Sequence, residues 1–117
     1  MAKLPMIRSE DVDTTSVTFT PDTTKIAVSN SFFKKSGNTV SIYLYFQPTN
    51  NFSQNTEVNI GSLNCTIPNG AMYSGEVVRS DTLTVGGFTI NRYGIVYVKL
   101  TNVDTTKNYN INATFIV

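Results

Sequence analysis

Apolar and polar residues alternate in several short stretches of this chain, and a period of two marks a strand with one buried face. The plainest case is Thr39 to Phe46, where Val40, Ile42, Leu44 and Phe46 share one side and Ser41, Tyr43 and Tyr45 the other. Ser36-Gly37-Asn38 precedes it, and the glycine supplies the positive φ that a tight hairpin turn needs. The segment from Thr24 to Lys35, with Ile26, Val28, Phe32 and Phe33, is therefore its hairpin partner. Pro48 closes the strand, because proline has no N–H for a ladder.

The same reading predicts strands elsewhere. Ser16 to Thr20 alternates Val17 and Phe19 with Ser and Thr, and Pro21-Asp22 then marks a turn. A polar loop, Thr49 to Asn55, leads to a strand carrying Val58 and Ile60, and Pro68 with Asn69-Gly70 imposes another turn. Gly75 to Arg79 and Thr82 to Val85 read as short strands, with Gly86-Gly87 as a second tight turn after them. Phe88 to Tyr93 leads to Gly94. Ile95 to Leu100 then directs Val96, Val98 and Leu100 inward and Ile95, Tyr97 and Lys99 outward. The last strand, Tyr109 to Val117, puts Tyr109, Ile111, Ala113 and Phe115 on one face. No stretch of ten residues has a capped helical period. Short strands at regular spacing predict an all-β, antiparallel β-sandwich or jelly-roll-like domain. Residues 1–15 show neither period and read as an arm or linker, which leaves 16–117 as the one domain.

Composition agrees with this class. Thr, Asn and Ser make up about a third of the 117 residues, and they favour turns and strands over helices. Three passages then fall into a recognisable order: "KKSGNTVSIYLYF" at 34–46, "NTEVNIGSL" at 55–63 followed by Pro68, and the closing "INRYGIVYVKL…YNINATFIV" from Ile90 to Val117. Together they resemble the small C-terminal head domains of phage tail-fibre and baseplate proteins, over residues 16–117. Phe115 stands where that family has tyrosine, and "NCTIPNGAMYS" replaces its usual proline turn. The resemblance implies a homotrimeric, receptor-binding head made in the host cytoplasm and carried on the virion. It would hold other virion proteins through the arm and meet a host cell-surface polysaccharide. Two further readings are a virion decoration or head-fibre subunit with no receptor role, and a cellular carbohydrate-binding or adhesin module.

Charge and chemistry narrow the role. Nine Lys and Arg against eight Asp and Glu give a formal charge of +1, too weak a field for nucleic acid or an anionic membrane, and no window has the apolar length of a membrane span. With no His and the single Cys65, the chain predicts no disulfide, no metal site and no cofactor; Cys65 reads as a small core or strand residue. Catalysis needs a base, a nucleophile or a metal brought together. Asp11 with Asp13, or Glu76 with Asp81, would have to meet in one cleft, so the chain does not read as an enzyme. Tyrosine faces flanked by Asn, Thr and Arg suit the apolar side of a sugar ring and equally suit a neighbouring subunit. Tyr43 and Tyr45 are expected at a subunit interface or against a second sheet. Arg92, Tyr93 and Tyr97 are the expected ligand-binding residues, with a subunit contact the competing role.

Overall fold

The computed structural model describes residues 17–117. The expected arm, residues 1–15, lies outside them, as do Asp11 and Asp13. Eight strands follow one another: β1 Phe19–Pro21, β2 Ile26–Ser36, β3 Thr39–Pro48, β4 Val58–Leu63, β5 Tyr73–Arg79, β6 Thr84–Ile90, β7 Ile95–Leu100 and β8 Tyr109–Ile116. A single 3-10 turn at Pro68–Gly70 sits where the proline turn is expected. All ladder pairings are antiparallel, in the order β1-β4-β7-β6-β5-β8-β3-β2. The expected all-β, antiparallel class is thus present as one eight-stranded sheet.

Two hairpins and a return build its centre. β5, β6 and β7 are joined by the turns at residues 80–83 and 91–94, and residues 101–108 carry the chain back so that β8 lies beside β5. The spatial order 8-5-6-7 is that of a Greek key. The β5–β8 ladder is short, holding only Val78↔Asn110 and Arg79↔Tyr109. β3–β8 and β2–β3 are long ladders by comparison. The sheet curls until its outermost strands, β1 and β2, approach without a ladder, joined by the rings of Phe19 and Phe33 at 5.5 Å.

The inward faces form one core. Val40, Ile42, Leu44 and Phe46 are buried, as are Val96, Val98 and Leu100 and Tyr109, Ile111, Ala113 and Phe115. All three sets were expected. Gly37 has φ +60°, the left-handed value its hairpin turn demands.

The structure corrects one turn. Gly86 and Gly87 lie inside β6, and the reversal comes earlier, where the Arg79 amide donates to Leu83 O and Thr82 N–H to Arg79 O. A side chain at Gly86 cannot be placed, because its Cβ would stand 2.0 Å from Lys99 O on β7. The glycine therefore answers a close strand approach. Cys65 lies outside the strands, in the segment after β4, where it is half-buried and packs against the core, the first of its two expected places.

β2 carries a feature that alternation alone misses. Between Ser29↔Tyr45 and Phe32↔Tyr43 the register shifts, with Asn30 at φ +48°. Ser31 Oγ closes this bulge by accepting the Tyr45 amide at 2.8 Å and donating to Ser29 O at 3.0 Å. The extra residues switch which side chains face out. Phe33 packs against the core, and Phe32 is 56 % exposed.

Candidate functional site: an outward recess around Tyr97

The outward face of β4, β7, β6 and β5 is a grid set by register. Asn59 pairs with Tyr97, Tyr97 with Thr89 and Thr89 with Ser74, which lays one row across four strands. The neighbouring row runs from Lys99 to Gly87 to Glu76, and Glu57, one residue before the Val58↔Val98 pair, stands level with Lys99. Where the second row lacks a side chain, at Gly87, the surface sinks into a recess of about 350 Å³. Tyr97 walls it, Phe88 and the backbone of Gly75 and Gly87 floor it, and Glu57, Lys99, Ser74 and Thr89 form its rim. Among the described residues, none of the polar side chains on that rim makes a hydrogen bond or ion pair, so all face solvent with their valences open.

Arg92 and Tyr93 are elsewhere. They occupy the β6–β7 turn, which Asn91 Oδ1 holds by accepting the amides of Tyr93 and Ile95, each at 3.0 Å. Arg92 Nη2 donates to Tyr93 Oη at 2.6 Å, and its guanidinium carbon lies 4.8 Å from the same ring. The two expected ligand residues thus engage each other, a cation–π pair at the rim of the fold. Tyr97 does not join them. The expected trio separates into a paired turn and a recess on the sheet wall.

Tyr43 and Tyr45 face outward, as expected. Their rings lie 6.3 Å apart and nearly parallel, and Phe32 extends the row at 5.8 Å from Tyr43. Ser41 and Thr114 share a hydroxyl contact of 3.4 Å beside them, and Asn112 and Asn110 follow on β8. This is a ridge of rings with amides and hydroxyls alongside, and no second sheet of this chain covers it among the described residues. Phe32 escaped the sequence reading because only the bulge turns it outward.

The carboxylates hold turns together. Asp81 accepts from Arg79 Nε at 2.9 Å and Nη2 at 2.7 Å, which lowers its pKa and raises that of Arg79. Glu76 belongs to the outward face of β5, and the two do not line one recess. Asp22 and Asp104 each accept the amide and hydroxyl of the threonine two residues on, which lowers both pKa values. Burial pushes the Cys65 thiol up. A second hollow, beside Cys65, is lined by Asn64, whose Oδ1 already accepts the Thr18 amide. Among the described residues, no group of three His, Cys, Asp or Glu could hold a metal ion.

No family model, curated protein or solved structure matches this chain. The arrangement of its own side chains must therefore carry the functional reading. The Tyr97 recess offers an aromatic wall, two hydroxyls, a carboxylate and an ammonium without a nucleophile–base pair. That set is suited to holding a polyhydroxylated ligand.

Proposed function

We propose that this chain is a non-catalytic attachment domain of a phage virion, a tail-fibre or baseplate head that meets carbohydrate on the host surface. The observation that carries the reading is the recess around Tyr97, where an aromatic wall stands among polar ends that no neighbour among the described residues engages. The order of the passages at 34–46, 55–63 and 90–117 adds the phage head-domain resemblance. The Greek key and the short β5–β8 ladder are compatible with the finer sandwich or jelly-roll architecture, with β8-β3-β2 bending away from β1-β4-β7-β6-β5. The ridge of Phe32, Tyr43 and Tyr45 is the surface assigned to the neighbouring subunit of a homotrimer, since aromatic side chains are enriched at interface centres.

Two measurements test it. Size-exclusion chromatography with light scattering should give a particle three times the 12.9 kDa chain mass, and a clean monomer at micromolar concentration would sink the trimer. Binding to purified surface polysaccharide of the host should be saturable and should block adsorption of the phage. Intact trimers with no polysaccharide binding would instead favour a purely architectural virion subunit, a reading the aromatic ridge also supports.

A further inference from the structure

Gly87 is the residue that the fold leaves unexplained. It lies inside β6 with no positive φ, so its backbone makes no demand for glycine. A Cβ built on it would meet only Gly75 O, at 3.4 Å, an ordinary contact. Its neighbour differs: Gly86 is forced by Lys99 O at 2.0 Å, and Gly75 by the Phe88 ring at 2.7 Å. Glycine inside a strand is unfavourable because it orders a flexible backbone and packs no side chain. What the missing side chain creates is the recess itself, since Gly87 stands on the outward face between Lys99 and Glu76.

From this we infer that Gly87 is the open floor of a subsite for one neutral hexopyranose unit, held against Tyr97. The inference rests on the attachment reading above and specifies its ligand. The volume, about 350 Å³, is at the small end of ligand sites and suits one ring rather than a run of rings. Tyr97 offers the apolar body that packs on the C–H face of a pyranose. Ser74 and Thr89 each donate and accept, Glu57 accepts from sugar hydroxyls, and Lys99 donates to hydroxyl or ring oxygen. Charge gives acidic sugars no advantage: Glu57 balances Lys99 on the rim, and Glu76, paired with Gly87 in the next place of the row, stands just outside it. A uronic acid entering there would meet no net positive charge on the rim and a second carboxylate beyond it.

The test titrates the isotope-labelled protein, at millimolar concentrations, with the methyl glycosides of glucose, galactose and mannose, and with glucuronate. At least one neutral glycoside should shift the amides of Gly87, Thr89, Tyr97 and Lys99, and glucuronate should bind roughly tenfold more weakly or worse. Gly87→Val should weaken that binding by about tenfold or more without lowering the melting temperature. Glu57→Gln, at an exposed position outside the strands, supplies a second variant and should lose about fivefold or more. The proposal is overturned if no neutral glycoside shifts these amides, if the shifts fall on the Tyr43–Tyr45 face, or if both variants bind as the parent does. Capture of host polysaccharide that survives Gly87→Val overturns the subsite and leaves the attachment reading standing. Failure of the parent to bind any host polysaccharide overturns both.

Discussion

Tyr109→Phe would test whether one buried hydroxyl fastens the 101–108 connection to the end of the curled sheet. Tyr109 opens β8, is fully buried and stacks on Phe46 at 5.8 Å. Its Oη accepts the Asp104 amide at 2.9 Å and donates to Asn102 O at 3.3 Å. Phenylalanine keeps the ring and its burial, so the apolar contribution remains; the change falls on these two hydrogen bonds and on the support the Tyr109 oxygen gives the Arg79 guanidinium. A typical bond contributes about 0.5–1.5 kcal/mol net, and an orphaned buried donor costs about 1–3 kcal/mol. Asn102 is exposed and Asp104 half-buried, so solvent recovers part of the loss. The expected destabilisation is about 1–2 kcal/mol, a fall in melting temperature of roughly 4–12 °C for a domain of this size. The chain has no tryptophan, so urea unfolding should be followed by circular dichroism, with the m value unchanged. Tyr109→Ala, which also removes the ring, should cost about 3–5 kcal/mol. A Tyr109→Phe change within about 0.3 kcal/mol of the parent would refute the reasoning, because the hydroxyl would then hold nothing the solvent does not.

Leu44 is 1 % exposed at the centre of β3, so Leu44→Ala should leave a cavity and cost about 2–5 kcal/mol in the same urea assay. Gly86→Ala must part β6 from β7 at Lys99 O and should destabilise by about 1–3 kcal/mol, while Gly87→Ala should be neutral or stabilise by about 0.5–1 kcal/mol. Thermal melts against pH should show stability lost in acid. The folded-state pKa values of Asp22, Asp81 and Asp104 lie below the unfolded ones, so their contribution is present above the ordinary carboxylate pKa and disappears as pH falls through the depressed values. Asp81→Asn should flatten that acid limb, and an unchanged profile would mean the Arg79 pair contributes nothing.

The strands with one buried face were legible because burial enforces a strict period of two, as in Val40 to Phe46 and Tyr109 to Phe115. The bulge at Asn30 was not, since a local insertion leaves composition untouched while exchanging the faces of Phe32 and Phe33. A repeated turn signal is also present in the chain. The tetrapeptide Asp-Thr-Thr-Lys occurs at 22–25 and again at 104–107, and both copies form the same turn. In each, the second threonine donates its amide and hydroxyl to the aspartate, and the lysine amide donates to the aspartate carbonyl. One copy leads into β2 and the other precedes β8, a local rule readable from side-chain chemistry alone. Strand order is different in kind. β1 against β4, and β8 between β5 and β3, are pairings between distant segments that no window of sequence contains.

The site shows the same division more sharply. Tyr97 stands out by its outward position, but Glu57 reaches it from the segment before β4, and Ser74, Thr89 and Lys99 from β5, β6 and β7, and only the register sets them round one hollow. Arg92 and Tyr93 stand out by type, and the fold pairs them with each other, both exposed, on the β6–β7 turn and apart from Tyr97. The glycine pair was read as a turn because a sequence records only that a Cβ is missing, never why. At Gly86 the reason is the Lys99 carbonyl pressed against it, a demand of the fold. At Gly87 there is room for a methyl group, and the fold asks for nothing. On the proposed reading, the space left by the missing side chain is kept for a ligand from outside the chain, and the ring of Tyr97 beside it would set the shape received.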